Sequence, residues 1–223
     1  MSEQLQLRRD TQANLATVTP AAGEPAYDTT RGALLIGDGV TPGGVPQAML
    51  GLFGGYRAGR FYFSGPSSTA TLTLAANTLY CAPFFNLQKQ TFTKLGVEIV
   101  AAAGTNGRLG IYNWSNGLPV SLVLDAGAVS DASTGYKEIA GLNVTLAPGI
   151  YGMAFLPDAA VTVRATGTDG FQWLAQIALG ASGSNQANEI NLSVAQSYGP
   201  LPSSFPASPT YLTTACVAVG LRL

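Results

Sequence analysis

The stretch GIYNWSNGLP (110–119) groups Tyr112, Asn113, Trp114 and Asn116 around a turn. An aromatic ring beside amides suits a sugar, because the ring stacks on C–H groups and the amides bond hydroxyls. Tyr198 and Phe205, in the proline-rich stretch 198–211, are weaker versions of the same chemistry. A packing role is equally open: Tyr112 and Trp114 share one strand face, which suits covering a sheet or a subunit contact. Glycoside hydrolysis would need two carboxylates flanking the scissile bond, and the candidates are Asp125, Asp131, Glu138 and Asp158. Asp125 and Asp131 stand at strand ends, where Asp is ordinary turn chemistry. Glu138 follows Lys137 on a solvated strand face.

Other chemistries lack their residues. The chain has no histidine, which removes Ser-His-Asp and Cys-His catalysis and nearly all zinc sites. GDGVTPGG (37–44) is glycine-rich, but no helix follows it, so it reads as a hairpin turn and not a phosphate loop. There is no P-loop and no DxDxDG calcium loop. No enzyme, metal or cofactor is expected. Trp173 shares parity with Phe171, Ala175, Ile177 and Leu179 and reads as core.

The bulk of the chain agrees. Its 223 residues carry a net charge of −1 and only 10% are charged, which argues against a nucleic-acid partner. Apolar residues make up 47% but come in short runs, none near the ~20 of a membrane span, so no membrane insertion is expected. The N-terminus has no apolar h-region, and synthesis is expected in the cytosol. Cys81 and Cys216 sit in apolar runs and read as small buried hydrophobes. A disulfide between them is the alternative, given an oxidising compartment.

The elements that must position these residues are strands. Residues 1–60 hold 10 of the 23 charged residues, and GLFGGYRAGR (51–60) has four glycines, so a boundary is expected there. The expected organisation is a module over 1–55, a glycine-rich linker over 56–65 and a second domain over 66–223. In the module, EQLQLRR places Leu5 and Leu7 on one face of a first strand, and RDTQANLATV suggests a short helix. AYDTTRGALLIGDG adds a hairpin. So few short strands cannot build a core alone, and other chains are expected to complete it. From residue 70 on, eight to ten alternating runs separated by turn signals predict an antiparallel sandwich or barrel. Leu95, Val97, Ile99, Leu109, Ile111, Leu122, Leu124, Leu142, Val144 and Leu146 are expected to face inward. YGPLPSSFPASPTY (198–211), with four prolines, is expected to be a long surface loop.

Two resemblances add to this. LQLRRDT (5–11) followed by GEPAYDTTRGALLIGDGVTP (23–42) resembles the N-terminal module of many phage tail fibres, including the major tropism determinant type. That implies a small trimerising β-prism-like unit joining a fibre to another virion protein, with Leu5, Leu7, Tyr27, Leu34 and Ile36 as assembly residues. The tryptophan often seen near the short helix is absent, and Leu15 stands near its place. The stretch from LTLAANTLYCAPF to LAPGIYGMAF (72–155) resembles jelly-roll receptor-binding domains of tailed phages and gene transfer agents. The fold expected is therefore all-β, a prism-like module followed by an antiparallel jelly roll. The function implied is that of a homotrimeric virion fibre or head spike binding a host surface glycan. A structural virion adaptor is the alternative, and a depolymerase is a third reading.

Overall fold

In the computed structural model the described residues are 8–30, 33–46, 56–63, 70–87, 89–167, 191–212 and 215–223. Leu5, Leu7, Phe171, Trp173 and the strand expected around Trp173 lie outside them. The chain divides into two units, Met1–Gly54 and Gly55–Leu223.

The first unit is a four-stranded sheet with one turn of helix. Strand β1 (Arg8–Asp10) pairs parallel to β2 (Pro25–Asp28), which pairs antiparallel to β3 (Ala33–Ile36), which pairs antiparallel to β4 (Val45–Pro46). Helix α1 (Gln12–Leu15) is shorter than expected. Thr11 caps it, and the Asp10 carboxylate accepts from the Asn14 side chain at 2.7 Å. These polar residues favour a local cap over a longer helix. Leu15, Ala26 and Leu35 form the whole described core of this unit. Strand alternation puts Leu35 on the buried face and hence Leu34 and Ile36 on the opposite one. After β3, Asp38 Oδ1 accepts from the Val40 and Thr41 amides at 2.9 and 2.7 Å and closes the turn. These bonds, led by the Thr41 hydroxyl, hold its carboxyl down at about 2.

The second unit is an antiparallel sandwich. One layer runs β10 (Leu118–Ser130), β9 (Asn106–Ser115), β12 (Gly149–Pro157), β7 (Thr78–Asn86), β14 (Asn191–Ala195), β15 (Thr210–Leu212). The other runs β16 (Ala215–Val217), β13 (Val161–Gly167), β8 (Gln90–Ala101), β17 (Val219–Arg222), β5 (Phe61–Phe63). In that layer β11 (Gly135–Leu146) also pairs with β8, and β6 (Ala70–Leu74) with β13. From β6 to β13 every connection crosses between layers except the β9–β10 hairpin. The orders β6-β13-β8-β11 and β10-β9-β12-β7 are those of a two-sheet jelly roll. The hairpin turns on Asn116 and Gly117, with φ of 51° and 81°, as its two-residue connection requires.

The core lies between the layers. Phe92, Leu95, Val97 and Ile99 of β8 and Leu109 and Ile111 of β9 face inward as expected, with Phe92 of β8 and Met153 and Phe155 of β12. Each such side chain contributes roughly 1.5–3 kcal/mol by burial. The segment 56–65 departs from the linker expectation, because Phe61–Phe63 form β5 against β17. Tyr56 stands edge-on to Phe92 and donates to Asn86 Oδ1 at 2.7 Å. Asn86 is itself buried and donates to the Leu146 and Ala147 carbonyls, so this polar node is bonded on both sides. Cys81 and Cys216 are free and buried. They belong to different apolar clusters, one outside the first layer and one between the layers. Burial pushes the Cys216 thiol up to about 12 and the Cys81 thiol higher, which keeps both inert. Among the described residues, no helix is long and apolar enough to cross a membrane.

Candidate functional site

Three places could carry function, and the structure distinguishes them. The first is the outer face of the N-terminal sheet. Tyr27 and Leu34 are register partners across β2 and β3, and Pro25 and Ile36 are the next pair on that face. Leu34 is 42% exposed, Tyr27 36%, and Ile36 is partly buried. The three-residue core on the other face is too small to account for apolar residues here. The small sheet thus carries apolar side chains on its outer face as well as on its core face.

The second place is the set expected to bind a sugar, and its Tyr112 is sealed. Tyr112 is fully buried. Its hydroxyl donates to the Pro202 carbonyl at 2.9 Å, and its ring meets Phe205 edge-on at 5.2 Å. Burial drives its phenol well above the ordinary range. The covering segment is the one expected to be a surface loop. Residues 198–205 run as a strap across the outside of the first layer, and Leu201 and Phe205 are buried in it. Backbone bonds fix the strap to the free edge of β10: Leu122 donates to Ser203 and Phe205 donates to Val120, at 2.8 and 2.7 Å. The prolines pre-set an extended backbone that donates few hydrogen bonds of its own. The signal in the sequence was the pair Leu201 and Phe205, two large apolar residues among turn formers.

The remaining members of that set scatter. Trp114 is half-buried in the same outer cluster as Tyr112, so of the two readings weighed for this pair, sheet cover is the one the packing matches. Tyr198 is half-buried there too, and its amide donates to Asn77 Oδ1 at 2.8 Å. Asn113 is exposed and donates to Ser121 Oγ at 2.9 Å. Asn116 is exposed in the hairpin turn. Leu122 is a further correction. It packs outside with Tyr112, while Leu124 packs inside, because the register shifts between them. A bulge of this kind swaps the face that a residue points to.

The carboxylates are bonded to structure. Asp125 accepts from Arg108 Nε on both oxygens, at 2.8 and 2.9 Å, and from the amides of Gly127 and Leu201. It therefore ties the strap to β10. Asp131 is buried and takes the Thr105 amide and hydroxyl, and Asp158 takes the Asn106 amide. Glu138 bridges Lys94 and Arg222.

The third place was not picked out by sequence reasoning. On the outside of the second layer, Phe61 packs on Tyr136 with ring centroids 4.2 Å apart, and Phe63 lies 6.1 Å from Phe61. The Arg222 guanidinium sits 5.2 Å from the centre of the Phe61 ring. Beneath the rings Gly96 and Gly220 are register partners on β8 and β17. A Cβ on Gly220 would lie 2.7 Å from the Phe63 ring, and one on Gly96 2.6 Å from Tyr136 Oη. The two glycines let the Phe63 and Tyr136 rings approach the sheet closely, with the two rings 85° apart. Phe63 stays 39% exposed. Beside the rings run the Lys94–Glu138–Arg222 network and the Glu98–Arg164 pair at 2.8 Å. The available signal was the alternation in FYF, with a glycine at the matching register of the partner strand.

Comparison with known families bears on the first place. Residues 5–41 match the family of the major tropism determinant N-terminal domain. The matched stretch covers β1, α1, β2, β3 and most of the turn after them, and it includes Tyr27, Leu34 and Ile36. The chain thus carries a phage tail-fibre-like module at its front. No curated protein matches the sequence. Two clostridial structures show a remote likeness. One holds the cysteine protease and lectin-like domains of Cwp84, a surface layer associated protein of Clostridium difficile, at 11% identity and a TM-score of 0.39. That likeness covers 69% of this chain and 34% of the other. The second is Cwp84 after propeptide cleavage, at 11% identity and a TM-score of 0.42, covering 74% and 40%. The chain spans about a third to two-fifths of those two molecules.

Proposed function

We propose that the chain is a subunit of a virion fibre or head spike that binds a polysaccharide on the host surface. The N-terminal module joins three copies to each other and to another virion protein, and the sandwich makes the host contact. The match over residues 5–41 carries this reading. The apolar row of Tyr27 and Leu34 left outside the small core supports it, since three copies would bury that row around a common axis. Three tethered copies would also let weak sugar sites act together, with a gain on the order of 10²-fold. Light scattering on the full chain tests the assembly. The expected mass is three times 22.9 kDa, and Leu34→Asp should reduce it to one chain. A wild-type monomer at micromolar concentration would overturn the trimer. Co-sedimentation with bacterial cells before and after periodate oxidation tests the receptor class. Periodate cleaves vicinal diols, so undiminished binding after treatment would point to a protein receptor.

A further inference from the structure

We propose that the outer face formed by β5, β17, β8 and β11 is the saccharide platform of this protein. Phe63 stacks on the C–H face of a sugar ring with Phe61 supporting it from beside, and Arg222, Lys94 and Glu138 bond its hydroxyls. The site rests on the glycan reading above and gives that reading a location away from the sealed Tyr112.

Sugars present two surfaces at once, an axial C–H patch and a rim of hydroxyls that both donate and accept. The face matches both. The two glycines make room for Phe63 and Tyr136 close to the sheet, and Phe61 packs on Tyr136 beside them, so the backbone shapes the platform. Arg222, Lys94 and Glu138 supply donors and acceptors alongside. Their ion pairing uses only part of their capacity, since Lys has three donors, Arg five and a carboxylate about four acceptor sites. A second copy of the chain fits less well. Among the described residues, Phe63 is the single large apolar residue on this face that is well exposed, whereas a stable protein interface covers about 800 Å² on each partner. One ring flanked by charges of both signs is the scale of one or two sugar units.

The full-length protein should be titrated on an array of purified bacterial surface polysaccharides, with oligomeric mass measured in parallel. Phe63→Ala should lower apparent affinity roughly tenfold, as loss of a central aromatic anchor does. Gly220→Ala keeps the ring but lifts it off the sheet, and it should lower affinity by a smaller factor. Both variants should keep the wild-type mass. Unchanged binding by Phe63→Ala, with loss in Trp114→Ala, would overturn the platform and leave the glycan reading standing. A change of mass in Phe63→Ala would overturn it in favour of a protein contact. Failure of the wild type to bind any polysaccharide, while still sedimenting with cells, would overturn the glycan reading itself.

Discussion

The two outer faces of the sandwich solve the same problem in opposite ways. Outside the first layer stand Leu79, Cys81, Tyr112, Ala154, Leu156 and Leu192, a surface that must be covered. The chain covers it with its own strap, through Leu201 and Phe205. Outside the second layer the corresponding positions are glycines, charges and rings: Gly96, Gly220, Lys94, Glu98, Glu138, Arg164, Arg222, Phe61, Phe63 and Tyr136. Aromatic residues occur on both faces, so residue type alone does not separate a packed ring from an available one. What separates them is whether a distant part of the chain returns over them.

The comparison breaks most visibly at the strap. Phe205→Ala should cost about 3 kcal/mol, the low end for a buried Phe, because one side of the site can collapse toward solvent. Urea denaturation measures this. Iodide quenching of fluorescence should rise as well, because Trp114 packs in the cluster that the strap covers. A loss under about 1 kcal/mol would mean that the strap rests on the sheet without stabilising it. Asp125→Ala is next. It removes the acceptor of the Leu201 amide and strands Arg108, so a loss of about 2 kcal/mol is expected. Glu138→Ala, the matching change on the open face, should cost at most about 1 kcal/mol because its partners stay hydrated.

Glycine substitutions sharpen the contrast at single positions. A Cβ on Gly110 would lie 2.2 Å from Leu201 Cδ1 and 2.7 Å from the Leu124 carbonyl oxygen. Neither neighbour is free to leave, so Gly110→Ala should destabilise by about 1–3 kcal/mol. On the open face the nearest atoms to the Cβ of Gly220→Ala belong to the Phe63 ring. That ring swings outward, and the loss in stability should stay below about 0.5 kcal/mol. Equal losses at the two glycines would mean that the open face is as tightly packed as the sealed one.

Much of the fold was legible, and the errors arise where a local irregularity or a distant segment decides the outcome. Period-two alternation found the inward residues of β8 and β9, because β8 pairs with β11 without a shift from Lys94 to Ile99 and β9 pairs with β12 without one from Gly107 to Asn113. The Asn116-Gly117 turn was readable because two positive φ values demand those residues. The same logic failed at Leu122, where a bulge changes the face without any signature in residue type. It failed for Tyr112 as a ligand group, since the strap that seals it arrives about 90 residues later in sequence. At the front, GALLIGDG was legible as a hairpin strand and turn. Which leucine lay in its small core was decided by Ala26 and Leu15, and that made Leu35 the buried one.

The smallest expected effect concerns the charges of the open face. Arg164 donates to both Glu98 oxygens, and this hydrogen bonding holds the Glu98 carboxyl below its ordinary value of 4.5. A folded-state value below the unfolded one favours the fold above the unfolded value. The benefit is lost as pH falls through the folded value. Stability measured by urea between pH 6 and 3 should therefore decline on the acid side, and Glu98→Gln should remove its share of that slope. The pair is about a third exposed, with side-chain accessibilities of 30% and 38%, so screening limits the difference to about a few tenths of a kcal/mol. Salt at 1 M should erase what remains, because the screening length there is about 3 Å. A Glu98→Gln effect as large as that of Asp125→Ala would show that the open face is held by its ion pairs as firmly as the sealed face is held by its strap.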